Sequence, residues 1–200
     1  MNKRITPKGQ SDHREINDRI LDATAECLSK FGNRRTSVND IAANSGLSRA
    51  TIYNHFKNRS AITTALMRRE LSRMQSSILS GLNGSTSSED IIVECVTLFV
   101  LSIRSHPLFQ RMIELEPGLV LPWFTTRSGF LARSGTQLFV PYLDAAMDRG
   151  DFTCHDKTET AEWLTMVALS LVFALDTFPH LRDSDLRDLV RTHAVRGLVS

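Results

Sequence analysis

GLSRATIYNHF, residues 46–56, sets Ile52 and Phe56 at helical spacing and surrounds them with three hydroxyls, an arginine, an asparagine and a histidine. Ser48 is placed to cap a short helix running from about Arg49 to His55 or Phe56, and Gly46 is placed to close the helix before it. That preceding helix is introduced by Ser37, with Asp40 three residues on in the manner of a capping box, and carries Val38, Ile41 and Ala42. Further upstream, Ile16, Ile20, Ala23, Cys27 and Phe31 recur at steps of three and four before Gly32, so a first helix is expected there. Two short helices joined through Ala-Asn-Ser-Gly-Leu-Ser make a helix-turn-helix, whose second helix is the one that enters a major groove.

Turning the third helix by about 100° per residue puts Ile52 and Phe56 on the buried side and Ala50, Thr51 and Asn54 opposite. A helix must come close to base edges to read them. Ala50 suits that approach and can pack on a thymine methyl, Asn54 can donate and accept at adenine, and Arg49 is long enough for a bidentate contact with guanine. Tyr53 and His55 fall on the flanks, where the phosphate backbones wall the groove. Ser48, Lys57 and Arg59 stand at the two ends, and the last two precede a fourth helix whose free N–H groups favour a phosphate.

Charge divides the chain in the same place. Residues 1–73 carry 14 Lys and Arg against 7 Asp and Glu, whereas residues 74–200 carry 10 against 15. A basic first third beside an acidic remainder is the electrostatic footprint of a phosphate-binding module attached to a domain that does not bind nucleic acid. Residues 1–12, with Lys3, Arg4 and Lys8, read as a flexible basic arm.

The stretch TSVNDIAANSGLSRATIYNHFKNRSAI, residues 36–62, resembles the helix-turn-helix of TetR-type transcriptional regulators. Ile41-Ala42, Gly46-Leu47-Ser48, Thr51, Tyr53, His55-Phe56 and Arg59 fall where that family has them, and the likeness covers roughly residues 13–74. The resemblance implies an all-α homodimer. Its N-terminal three-helix domain (13–58) would bind a near-palindromic double-stranded DNA operator, and a larger helical domain (59–200) would dimerise and bind a small-molecule effector. It further implies that Arg49, Ala50 and Asn54 read bases, that Thr51, Tyr53, His55 and Arg59 hold phosphates, and that Asn39 adds a contact.

About nine helices are expected in all. The fourth, about 59–80, carries Met67, Leu71, Met74 and Ile78 in one row and joins the two domains. A fifth follows GLNGSTSSED with Ser87 and Asp90 at capping spacing, a sixth opens at Pro107, and EPGLVLP breaks the pattern before a seventh that ends at Gly150. Asp156 is placed to cap an eighth, to about Phe178, and Asp183 a ninth, to about Arg196. The eighth is apolar nearly all round from Trp163 to Leu175, which calls for a second buried side. Trp163, Val167, Leu171 and Leu175, with Leu186, Leu189, Val190 and His193 of the ninth, are the expected dimer interface. Phe99, Phe109, Met112, Trp123, Phe124, Phe130 and Phe139 are the candidate lining of an effector pocket for an apolar or aromatic compound, against the plainer alternative that they are ordinary core.

Other chemistry finds little support. The six histidines show no HExxH spacing, the three cysteines no CxxC pair, and neither a phosphate-binding GxxxxGK[ST] nor a GxSxG nucleophile context occurs. No metal, cofactor or catalytic residue is expected. The longest nearly apolar stretches, 91–103 and 163–175, are too short to span a bilayer, and no secretory signal is read at the N-terminus, so the expected location is cytoplasmic. The leading reading is a repressor released by its effector. An effector-independent DNA-binding protein or an activator is the alternative, and an enzyme carrying a vestigial helix-turn-helix is a third.

Overall fold

α1 spans Pro7–Phe31 in the computed structural model, whose described residues are 7–82, 87–124, 129–150, 154–174 and 182–195. The expected arm is therefore shortened: Pro7 stands at the first helical position, where its missing N–H costs nothing, and residues 7–12 are helical. Residues 1–6 lie outside the described residues. Ile20, Leu21, Ala23, Cys27 and Leu28 form the buried row of α1, and Gly32 stops it at φ +75°, its N–H reaching Leu28 O at 2.9 Å.

α2 (Val38–Ser45), α3 (Arg49–His55) and α4 (Arg59–Gly81) follow within a residue or so of expectation. Contacts divide the chain into two units. Residues 1–71 with Arg111–Pro117 form the first, and Ser72–Gln110 with Gly118–Ser200 the second. In the first, Ile20, Ile41, Ile52, Ile62 and Leu66 are sealed from solvent. Arg69 of α4 adds a polar tie, reaching Asp22 of α1 at 2.8 Å and Asp18 at 3.5 Å while its Nε meets Glu70 at 3.0 Å.

The second unit is built on α5 (Ser88–Ser105), α8 (Gly129–Asp148) and α9 (Lys157–Ala174), each packed on the other two. Ser87 caps α5 by accepting from Asp90 N, and Asp156 caps α9 by accepting from the N–H groups of Thr158 and Glu159. Between them lie α6 (Pro107–Leu115) and α7 (Pro117–Phe124). The second is a helix where a break was expected: Pro117 stands in its first turn, where a proline is tolerated, and the helix continues through Pro122. The ninth expected helix is composite: a 3₁₀ turn (Asp183–Asp185), α10 (Leu186–Val190) and a π turn (Arg191–Val195). α10 is fastened to α5 by Arg187 on Glu94, and Arg191 binds Glu89 at 2.8 Å and Asp90 at 2.6 Å.

Ten α-helices and no strand occur among the described residues, so the fold is all-α. No single helix among them is long and apolar enough to cross a membrane.

One expectation for the interface is corrected. Leu186 and Val190, at 0% and 1% exposure, are core of their own chain, because the ion pairs on α5 draw α10 inward. α9 buries one side within its own chain, through Ala161, Leu164, Thr165, Ala168 and Val172, and leaves Trp163 and Met166 exposed at 39% and 61%. Val167, Leu171 and Leu189 are half-buried and His193 exposed; Leu175 lies outside the described residues.

α8 and α9 approach most closely at Gly135, where a Cβ would collide with Thr165 Oγ1 and lie 2.8 Å from Thr165 Cβ. Thr165 cannot turn away freely, since its hydroxyl donates to Ala161 O at 2.7 Å. Gly135→Ala is expected to lower stability by about 1–3 kcal/mol through overpacking, read as a drop in the thermal midpoint by circular dichroism. An unchanged midpoint would mean that the two helices separate at no cost.

Candidate nucleic-acid interface

α2 and α3 have eight and seven residues, so each depends on its ends. Ser37 Oγ accepts from Asp40 N at 3.2 Å and donates to the Asp40 carboxylate, which accepts in turn from Ser37 N at 2.7 Å. This is the complete reciprocal box. Gly46 closes α2 at φ +65°, and Arg19 of α1 braces the turn by donating to Ser45 O at 2.9 Å. Ser48 then caps α3, accepting from Thr51 N at 3.0 Å while its hydroxyl also meets Thr51 Oγ1.

So held, α3 buries Ile52 completely and exposes Arg49, Ala50, Tyr53 and Asn54. The Arg49 guanidinium lies 5.9 Å from the Tyr53 ring centroid, a cation–π distance. Thr51 is half-buried. Lys57 and Asn39 are exposed, at the end of α3 and in the first turn of α2.

Two expected phosphate ligands are engaged within the protein. Arg59 Nη1 donates to the carbonyls of Asn33 and Thr36, the latter at 2.7 Å, and so pins the α1–α2 loop. His55 is half-buried, with Nδ1 2.7 Å from Asn17 Oδ1 and its ring 4.0 Å from that of His13, whose Nδ1 faces the Asn17 amide nitrogen at 3.4 Å. With Nδ1 donating to Asn17, the neutral His55 ring leaves Nε2 as an acceptor. Burial first, and His13 second, hold the His55 pKa below its ordinary value. His13, Asn17 and Arg19 had no signal in the sequence as parts of the site, since their partners lie 26 to 42 residues away.

The exposed face of α3 is small, polar and rich in paired donors and acceptors, the chemistry a major groove accepts. The profile of the bacterial regulatory proteins, tetR family, matches residues 20–66. Over those residues the chain carries a TetR-type DNA-binding domain. It is 28% identical to the HTH-type transcriptional regulator YvkB of Bacillus subtilis over 80% of each chain. A TetR-family transcriptional regulator of Pectobacterium atrosepticum superimposes with a TM-score of 0.70 at 18% identity, covering 94% of this chain and 96% of that one. The fatty acid degradation regulator FadR of Bacillus halodurans does so at 0.67 and 20% identity, over 98% of each. The matched domain and the relatives alike are those of DNA-binding transcriptional regulators, not of enzymes. Burial pushes the Cys95 thiol up to about 12 and raises that of Cys27.

The candidate effector residues are placed as follows. Phe109 and Phe139 are buried in the second unit and Phe99 is half-buried there, whereas Met112 is buried and belongs to the first unit. The side chains of Trp123, Phe124 and Phe130 lie outside the described residues. A groove of about 340 Å³ lies in the first unit, lined by Cys27, Lys30, Phe31, Asp40, Ala43 and Asn44, none of which was expected to bind an effector.

The Ser37 bonds hold the Asp40 carboxyl below the usual carboxylate range. A lowered folded pKa stabilises above the unfolded value and is lost as pH falls through the folded one, so the cap weakens on acidification below about pH 4. Ser37→Ala is expected to cost about 1 kcal/mol of stability at neutral pH and to flatten that part of the acid limb. Urea melts at pH 7 and pH 3 measure both; equal losses at the two would show that the pair does not titrate with folding.

Proposed function

We propose that this regulator is a repressor that binds a near-palindromic operator as a homodimer and is released by a small apolar or aromatic effector. The observation that carries the DNA-binding part is the capped α3 with Arg49, Ala50, Tyr53 and Asn54 exposed together. Arg49, Ala50 and Asn54 read bases; Tyr53, Thr51 and His55 meet phosphates on the flanks, joined by Asn39, Ser48 and Lys57. Arg59 contributes by its remaining guanidinium nitrogens, since Nη1 is committed to the loop. A single seven-residue helix offers few base contacts, and two of them about 34 Å apart double that number on successive turns of the groove. The exposed Trp163 and Met166, continuous with half-buried Val167 and Leu171 on α9, supply an apolar face for the second subunit. The aromatic side chains Phe99, Phe109 and Phe139 of the second unit favour an apolar effector. The similar fold of the repressor of the Stenotrophomonas maltophilia multidrug efflux pump supports repression.

Selection of duplexes from a randomised library, then titration of the best one in rising salt, tests the reading. An enriched inverted repeat whose affinity falls steeply with salt is expected. Asn54→Ala is expected to cost about 1–3 kcal/mol and to relax preference at one position per half-site. No enrichment, with weak salt-sensitive binding alone, would overturn operator recognition.

A second expectation concerns protons. His55 keeps Nδ1 on Asn17, so it donates to a phosphate through Nε2 only when protonated. Binding then takes up a proton per site, and operator affinity rises as pH falls from 7.5 towards 6. The sign is opposite for the free protein. There the lowered pKa makes the neutral ring stabilising above 6.5, and that contribution is lost as pH falls through the folded value. Affinity that stays flat across this range would instead indicate the flipped Asn17 amide, with a neutral Nε2–H as donor.

A further inference from the structure

The loop between α1 and α2 is held from two directions by residues remote in sequence. Arg59 donates to its carbonyls at Asn33 and Thr36. Its donors meet Glu116, whose Oε1 accepts from Arg34 N at 2.7 Å and whose Oε2 lies 3.4 Å from Asn33 Nδ2. Glu116 stands between α6 and α7, more than 60 residues beyond the recognition helix, yet it belongs by its contacts to the first unit. The fit is close: a Cβ on Gly32 would come within 3.1 Å of Glu116 Oε1 and 3.4 Å of Leu115 Cδ1.

The loop leads straight into Ser37, the cap of α2, and α2 leads through the Gly46 turn into α3. Wherever the loop sits, the start of α2 must follow. A hydrogen bond from a backbone N–H to a carboxylate is charge-assisted, and at 2.7 Å this one is short, so it fixes its partner more firmly than a neutral pair would. We infer that Glu116 is a positioning residue for operator binding: it sets the α1–α2 loop, and through it the pose in which α2 and α3 meet DNA. This rests on the operator reading above.

The sign of the effect separates positioning from simple charge. A carboxylate in a DNA-binding unit repels phosphate, so removing it without other consequence raises affinity for every duplex. Removing a positioning contact lowers affinity for the operator and leaves random duplex nearly unchanged.

The experiment uses the full chain as wild type, Glu116→Ala and Glu116→Gln, titrated with the selected operator and with random duplex. Hydrogen exchange is followed at the Arg34 amide. Glu116→Ala is expected to weaken operator binding tenfold or more, to change random-duplex affinity less than twofold, and to speed Arg34 exchange at least tenfold. Glu116→Gln keeps an oxygen to accept from Arg34 N–H and is expected to recover most of the operator affinity. Operator affinity unchanged or raised in Glu116→Ala overturns the inference. If Glu116→Ala does not fold, Glu116→Gln decides: Arg34 exchange and operator affinity both within threefold of wild type uphold the inference, and weakening as large as tenfold overturns the assigned acceptor role. If wild type enriches no duplex, the operator reading fails, and Arg34 exchange alone judges the contact: acceleration in the Ala variant upholds it and no change overturns it.

Discussion

Two helices of eight and seven residues are too short to persist in water, and the reading head of this protein consists of little else. Their existence depends on hydrogen bonds at their ends and on two buried isoleucines. Ser37 and Asp40 satisfy the start of α2, Gly46 its end and Ser48 the start of α3, while Ile41 and Ile52 are withdrawn completely from water. Each cap contributes about 1 kcal/mol, which is small beside a whole domain but decisive for a helix with two turns. Because the caps act at the helix ends and the isoleucines face inward, the exposed residues Arg49, Ala50, Tyr53 and Asn54 of α3 are not needed to hold it in place.

That division extends to the whole chain. The first 73 residues hold the excess of positive charge and the remainder the excess of negative charge, so nonspecific attraction to DNA is confined to the unit that carries α3. Within the first unit, Arg69 of α4 is a polar anchor on α1, and Glu116, just beyond the end of α6, is one on the α1–α2 loop.

What could be read from the sequence was what is local. Caps, glycine stops and buried rows involve residues within four positions, and Ser37, Gly46, Ser48, Ser87 and Asp156 all proved to sit where their spacing placed them. The contacts that escaped are between residues distant along the chain. Nothing in the local pattern tells Arg59 to turn towards Asn33 and Thr36, or His55 to bond Asn17, or Glu116 to reach Arg34. Leu186 and Val190 show the same limit in reverse. Their periodicity announced an apolar face, but whether a face meets its own chain or another is decided by Arg187 and Arg191 finding acids on α5. An apolar stripe specifies burial without specifying the partner.

The composition of the exposed face has its own physical logic. Binding freezes side chains, and each long flexible one costs about 0.5–1.5 kcal/mol on immobilisation. Ala50 has no rotamers to lose, Asn54 few, and Tyr53 is rigid beyond two torsions. Arg49 is the one long side chain on that face, and its guanidinium lies within cation–π distance of the Tyr53 ring. Thr51 is tied through Ser48. A head only seven residues long has few contacts from which to draw affinity, and arranging them in advance leaves a larger share of each contact's energy for discriminating between base pairs.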